Sequence, residues 1–148
     1  MNNLAIKRIL QDRKLLTKNP LDSLGIYVIF DDDDVFSAKA LIIGPRDTPY
    51  HMGYYLFDIV FPNNYPFSPP KVKLDTLDPQ SKIRLNPNLY TNGKVCLSIL
   101  NTWSGPKWNS CQNISSVLIS IQSILNENPL HNEPGWENET GPINEKYN

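Results

Sequence analysis

One short run sets a thiol, Cys96, eight residues after a carboxamide, Asn88, with a second carboxamide at Asn86 and Pro87 between the two. The run reads Asn86-Pro87-Asn88-Leu89-Tyr90-Thr91-Asn92-Gly93-Lys94-Val95-Cys96-Leu97. A cysteine thiolate is a nucleophile, and a carboxamide N–H stabilises the oxyanion that forms when a carbonyl is attacked. Acyl transfer through a thioester needs both. Taken alone, a lone cysteine reads as a small buried hydrophobe; it is the Asn-Pro-Asn context that points to a nucleophile. A thiol with the reference pKa of about 8.5 is only a few per cent ionised at neutral pH. That reactivity suits exchange with an already activated thioester and not attack on an amide. Cys96 is expected to be partly open to solvent, at the junction of an irregular segment and Leu97–Leu100, with Asn88 within reach.

The rest of the composition narrows the class. The 148 residues are 40% apolar and 20% charged, with a net charge of −1. They are read as a single domain over residues 1–148, long enough to bury a core. No basic excess exists to neutralise phosphates, so nucleic acid is not an expected partner. No apolar run approaches the roughly 20 residues that span a bilayer, and the first residues lack the pattern of a signal peptide. A reducing compartment, cytoplasmic or nuclear, is expected. A zinc site from Cys96, Cys111, His51 and His131 lacks any Cys-x₂-Cys or His-x₃-His spacing, and no metal is expected.

Residues 4–16 space Ile6, Ile9, Leu10 and Leu16 as an amphipathic helix with a basic outer face. Leu24–Phe30, Val35–Ile43, Tyr54–Phe61 and Lys71–Leu74 read as four strands joined by turn-length connections, an antiparallel meander. Asp31–Asp34 is a solvated hairpin tip and not a calcium site, because four adjacent carboxylates cannot converge on one ion. Asn113 caps a second helix carrying Ile114, Val117, Leu118, Ile121, Ile124 and Leu125, and Pro129 stops it after Asn128. Prolines dense between Pro62 and Pro79 make a stiff wall. The class is α+β, without internal repeat.

Phe61-Pro62-Asn63-Asn64-Tyr65-Pro66-Phe67-Ser68-Pro69-Pro70-Lys71 resembles the Phe-Pro-x-x-Tyr-Pro-Phe-x-Pro-Pro-Lys signature of ubiquitin-conjugating enzymes (E2s). The Asn86–Leu97 run resembles their active-site segment, which usually reads His-Pro-Asn, a short linker, then Cys-Leu. Asn86 replaces the His. The resemblance covers roughly residues 4–136 and points to divergent members: the Z type, and the giant O and inhibitor-of-apoptosis types. It implies the ubiquitin-conjugating (UBC) fold: an N-terminal helix, a four-stranded antiparallel meander, the active-site segment, a central helix and a short C-terminal region. E2s continue with further helices beyond the position of Trp136, where this sequence turns polar, so a shortened or trimmed C-terminus is expected.

The resemblance further implies that Cys96 accepts ubiquitin or a ubiquitin-like protein from an activating enzyme (E1) and passes it to a substrate lysine, with or without a ligase (E3). No cofactor is implied, since the E1 consumes the ATP. Asn88 takes the oxyanion role, and Asn86 and Pro87 are structural. About one lysine amine in two thousand or fewer is neutral at pH 7, so a polar residue after the second helix must orient or deprotonate it. Of His131, Asn132 and Glu133 there, His131 is the first choice and Asn132 the second. Lys7, Arg8 and Lys14 are the expected E1 contacts; Phe67, Ser110 and Cys111 fall on the E3 surface. The connector 101–107 is longer than usual, with Trp103 expected as a buried wedge. The rivals are a non-catalytic ubiquitin-binding variant and a Cys/His hydrolase.

Overall fold

The structure is a computed structural model, and it describes residues 3–77, 80, 82–138 and 140. The chain runs through helix α1 (Asn3–Lys18), strands β1 (Ile26–Phe30), β2 (Ser37–Ile43), β3 (Tyr54–Val60) and β4 (Lys71–Leu74), and helix α2 (Ile114–Ile124). Short 3₁₀ turns at Asp22–Leu24, Ser98–Leu100 and Pro129–Asn132 fall between and after these elements. The strands pair in chain order, all antiparallel, as an up-and-down meander.

Helix α1 buries Ala5, Ile9, Asp12 and Leu16. Leu10, expected in the apolar stripe, is instead 48% exposed. The helical angle explains it: at about 100° per residue, Leu10 sits a quarter-turn from Ile9, whereas Asp12 returns to within about 60°. A carboxylate thus occupies the inner face.

The meander is pinned by what lies opposite what. On its inner face Ala38 opposes Ile59, Ala40 opposes Phe57 and Phe57 opposes Leu74. Small residues face large ones, so the layer beneath can interdigitate. These side chains join Ile114, Val117, Leu118 and Ile121 of α2 and Ala5 and Ile9 of α1 in one core. β2 begins two residues later than expected, because the Asp31–Asp34 tip consumes the backbone: Asp31 Oδ1 accepts from the N–H of Asp33 (2.8 Å), and Asp34 Oδ1 from that of Phe36 (3.0 Å).

Asn113 caps α2 as expected, its Oδ1 accepting from Ser116 N at 3.1 Å in a reciprocal capping box. The helix ends at Ile124, four residues before Asn128, because two amide side chains take its last carbonyl: Asn86 Nδ2 at 2.8 Å and Asn132 Nδ2 at 3.1 Å. That carbonyl is where the central helix meets the segment leading to Cys96. The residues where further C-terminal helices would lie, 141–148, are outside those described.

Candidate active site

A tight turn delivers Cys96. Gly93 N donates to Tyr90 O (2.9 Å), Tyr90 N to Lys94 O (3.0 Å), and Leu74 N at the end of β4 to Gly93 O (2.8 Å). Gly93 holds φ 87°, and a Cβ on it would stand 2.7 Å from Leu74 O. No other residue fits there without moving β4. Bridges between Lys73 and Lys94, and between Leu89 and Val95, fasten the turn to the sheet edge and leave Cys96 next in line.

Asn86 is wholly buried and its amide is fully spent. Nδ2 donates to Tyr50 Oη (2.7 Å) and Ile124 O (2.8 Å), while Oδ1 accepts from Asn88 N (2.9 Å). Tyr50 Oη in turn donates to Leu85 O (2.9 Å). Asn86 therefore ties the segment to the end of α2 and to Tyr50, and shapes the turn through Pro87 that aims Asn88. Tyr50 has no partner legible in the sequence, since 36 residues separate it from Asn86.

Asn88 and Cys96 clasp each other. Cys96 N donates to Asn88 O (2.9 Å) and Asn88 Nδ2 donates to Cys96 O (2.7 Å). One amide hydrogen of Asn88 is so used and a second is left over. Asn88 Oδ1 is buried without a hydrogen-bond partner. One expectation is overturned: Cys96 is not partly open to solvent but 2% exposed. The same clasp that brings the carboxamide to the cysteine draws its backbone inward.

After α2, Asn132 closes the helix end, with Oδ1 accepting from Asn126 Nδ2 (2.8 Å) and Nδ2 bound to Ile124 O. His131 lies half-buried in the Pro129–Asn132 turn. It adds to the effect of backbone hydrogen bonds in holding the exposed Glu137 carboxyl below its usual range. Glu133, ranked behind His131 and Asn132 from the sequence, presents a buried Oε2 with no hydrogen-bond partner. A carboxylate oxygen held dry and unsatisfied calls for a donor. The only sequence signal for it was its place in the polar run after Pro129.

The expected partner residues do not share one fate. Lys7 and Lys14 are exposed on α1, Ser110 and Cys111 are exposed, and Phe67 is 67% exposed. Arg8 is different: its side chain is 18% exposed, and it is folded inward onto Asp12 Oδ1 (2.9 Å), Ser110 O (2.7 Å) and Gln112 O. It cannot act as a free surface cation, because three acceptors hold it. Instead it fastens α1 to the Ser110 segment. Trp103 is half-buried, and the wedge is Trp108, whose Nε1 donates to Pro66 O (2.7 Å) beside Phe67. α1, Phe67 and Ser110–Cys111 are thereby joined into a single surface. Cys96 and Cys111 are both free thiols.

The family model described as "Ubiquitin-conjugating enzyme" matches residues 8–147. Human ubiquitin-conjugating enzyme E2 Z is 52% identical over 145 residues, covering 97% of this chain and 40% of the relative. The human dual E2 ubiquitin-conjugating enzyme/E3 ubiquitin-protein ligase BIRC6 is 47% identical over 142 residues, 91% of this chain and 3% of the relative. The chain thus spans less than half the length of these relatives. The solved structure of human ubiquitin-conjugating enzyme E2 G1 superposes with a TM-score of 0.70 at 32% identity, covering 84% of this chain and 96% of that one.

Proposed function

The chain belongs to the ubiquitin-conjugating enzyme family, and on that premise we propose that it carries ubiquitin or a ubiquitin-like protein as a thioester on Cys96. The Cys96 thiolate attacks the thioester carbonyl on the E1, the new S–C bond forms, and the E1 thiol leaves. A substrate lysine amine then attacks the Cys96 thioester; an isopeptide bond forms, the amine sheds a proton, and Cys96 is released as thiolate. The observation that carries this reading is the clasp of Asn88 on Cys96, 2.7 Å from amide nitrogen to carbonyl oxygen. It holds a carboxamide with one unspent hydrogen beside the nucleophile, where an oxyanion would develop.

The incoming amine needs an acceptor. Glu133 fits that task better than Asn132, whose Oδ1 already accepts from Asn126 Nδ2 and whose Nδ2 donates to Ile124 O. His131 is retained as the alternative base. No cofactor enters the reaction; ATP is spent on the E1. The thiol must stay reduced, so a cytoplasmic or nuclear setting follows. Lys7 and Lys14 are the surface for the E1, and Phe67, Ser110 and Cys111 that for an E3, with Arg8 bracing the two.

Charging requires Cys96 to emerge from its 2% exposure, and this is the observation that favours the rival, a non-catalytic ubiquitin-binding variant. Incubation with E1, ATP and ubiquitin decides between them. The expected product is one added cargo mass, removed by reductant; Cys96→Ser gives a reductant-resistant ester and Cys96→Ala none. Failure of the native chain to charge with any E1–cargo pair overturns the thioester reading and revives the rival.

A further inference from the structure

The peptide groups on either side of Cys96 contain four polar atoms, and every one is bonded. Asn88 takes two of them, Cys96 N and Cys96 O, as described above. The other two converge on a single hydroxyl: Leu97 N donates to Thr102 Oγ1 (3.0 Å), and Thr102 Oγ1 donates to Val95 O (2.8 Å). Thr102 N adds a bond to Leu97 O (3.1 Å), and the same carbonyl lies 3.2 Å from Thr102 Oγ1, a longer second acceptor for the hydroxyl proton that Val95 O takes at 2.8 Å. One side chain thus staples the carbonyl before the cysteine to the amide after it, from the side opposite Asn88's share of the groups. Thr102 is held for this task. Asn101 beside it adopts a left-handed φ of 58° and its Oδ1 accepts from the N–H of the buried Trp108 (3.0 Å).

Resting on the thioester reading above, we propose that Thr102 is a positioning residue for that chemistry: it fixes the direction of the Cys96 side chain and keeps the thiol covered between transfers. The staple has a second consequence. Cysteine and serine acyl transferases commonly draw oxyanion donors from the backbone N–H groups around the nucleophile. Here the N–H groups of Cys96 and Leu97 are both occupied. The developing charge is left to the remaining amide hydrogen of Asn88, with Thr102 keeping the Leu97 N–H, and Asn88 O the Cys96 N–H, out of the competition. The bonds it makes are neutral, so each is of modest net strength and opens readily. A cover of this kind yields to an approaching E1 without unfolding the segment.

The test uses Thr102→Val, which keeps the shape and removes the hydroxyl, and Thr102→Ser, which restores it. Two rates are read on each: alkylation of Cys96 by iodoacetamide, with Cys96 and Cys111 peptides separated by mass spectrometry, and discharge of the Cys96 thioester to free lysine. Thr102→Val is expected to alkylate about tenfold faster and discharge about tenfold slower, the scale of losing one or two neutral hydrogen bonds. Thr102→Ser returns both toward the native rates. Native alkylation in Thr102→Val, or faster alkylation with undiminished discharge, overturns the positioning role. Amide hydrogen exchange on the native chain tests the staple without any variant: Leu97 N–H is expected to be protected, and rapid exchange there overturns it. If the native chain never charges, the thioester reading fails, while alkylation and exchange still judge the staple itself.

Discussion

Two buried polar networks hold this molecule together, and they are made of different chemistry. Around Asp12, which is 3% exposed, the bonds are charge-assisted: Arg8 pairs with one carboxylate oxygen, and the neutral Tyr65 hydroxyl donates to the other at 2.5 Å. The Arg8 guanidinium lies 5.6 Å from the centre of the Tyr65 ring, and Trp108 packs on the same ring. Around Cys96 the bonds that hold Asn86, Asn88 and the peptides flanking the thiol are neutral, made by two carboxamides, a phenol and a threonine hydroxyl, while a charged group, Arg84, reaches the segment only at Pro87 O. Charge-assisted bonds are roughly twice as strong as neutral ones, and an orphaned buried charge is far more costly than an orphaned amide. On the proposed thioester reading, the difference separates a region that must not move from one that must. The charged network braces α1 against the Phe67 and Ser110 surface, where partners would dock. The neutral network holds the thiol proposed as nucleophile, which on that reading has to open and close.

That contrast is broken or sharpened by four substitutions that read three effects, beginning with the largest. Asn88→Ala removes the amide donor beside Cys96, and thioester discharge to lysine is expected to fall about 10²–10³-fold, the usual cost of one oxyanion donor. A fall of less than tenfold in a protein that still melts near the native temperature would reduce Asn88 to a purely structural residue. Arg8→Ala leaves the Asp12 carboxylate with Tyr65 alone and is expected to cost about 3 kcal/mol of unfolding free energy. Lys7→Ala, one residue away on the exposed face, is expected to cost less than about 0.5 kcal/mol. Equal urea midpoints for the two would dissolve the distinction between anchor and surface.

The third effect depends on pH. Burial, with the Asp12 hydrogen bond and charge adding to it, pushes the Tyr65 hydroxyl well above its ordinary value of 10.0. A group whose folded pKa is raised contributes stability below its unfolded pKa, and loses it as pH climbs through the folded value. Stability of the native chain is therefore expected to decline above about pH 10, where only the unfolded tyrosine sheds its proton. Tyr65→Phe flattens part of that decline in chemical denaturation run across the alkaline range. Some slope survives in the variant, because burial also raises Tyr55. Identical alkaline slopes in both proteins would show that the buried phenol is not coupled to folding.

The sequence made the meander legible because each strand carried its own period-2 pattern and its own turns. β4 was found residue for residue, while β1 and β2 start two residues later than expected, where a 3₁₀ turn and an Asx turn claim the backbone first. Local spacing could not rank Leu10 against Asp12, because the hydrophobic preference of one residue competed with the position of the other. Arg8 misled for a related reason: its type says surface, and only the two carbonyls more than 100 residues away say otherwise.

By itself the chain's order of residues determined the family and the α+β plan and named a candidate thiol and carboxamide, since all of these are written in short motifs whose parts lie close along the backbone. Tertiary structure decided what those parts experience. It covered Cys96, spent Asn86 and Asn132 on a single helix-end carbonyl, left Glu133 unsatisfied, and set Thr102 across the peptides that flank the thiol. Burial and hydrogen-bond partnership are properties of neighbours in space, and they arise only when distant segments compete for the same buried donors and acceptors.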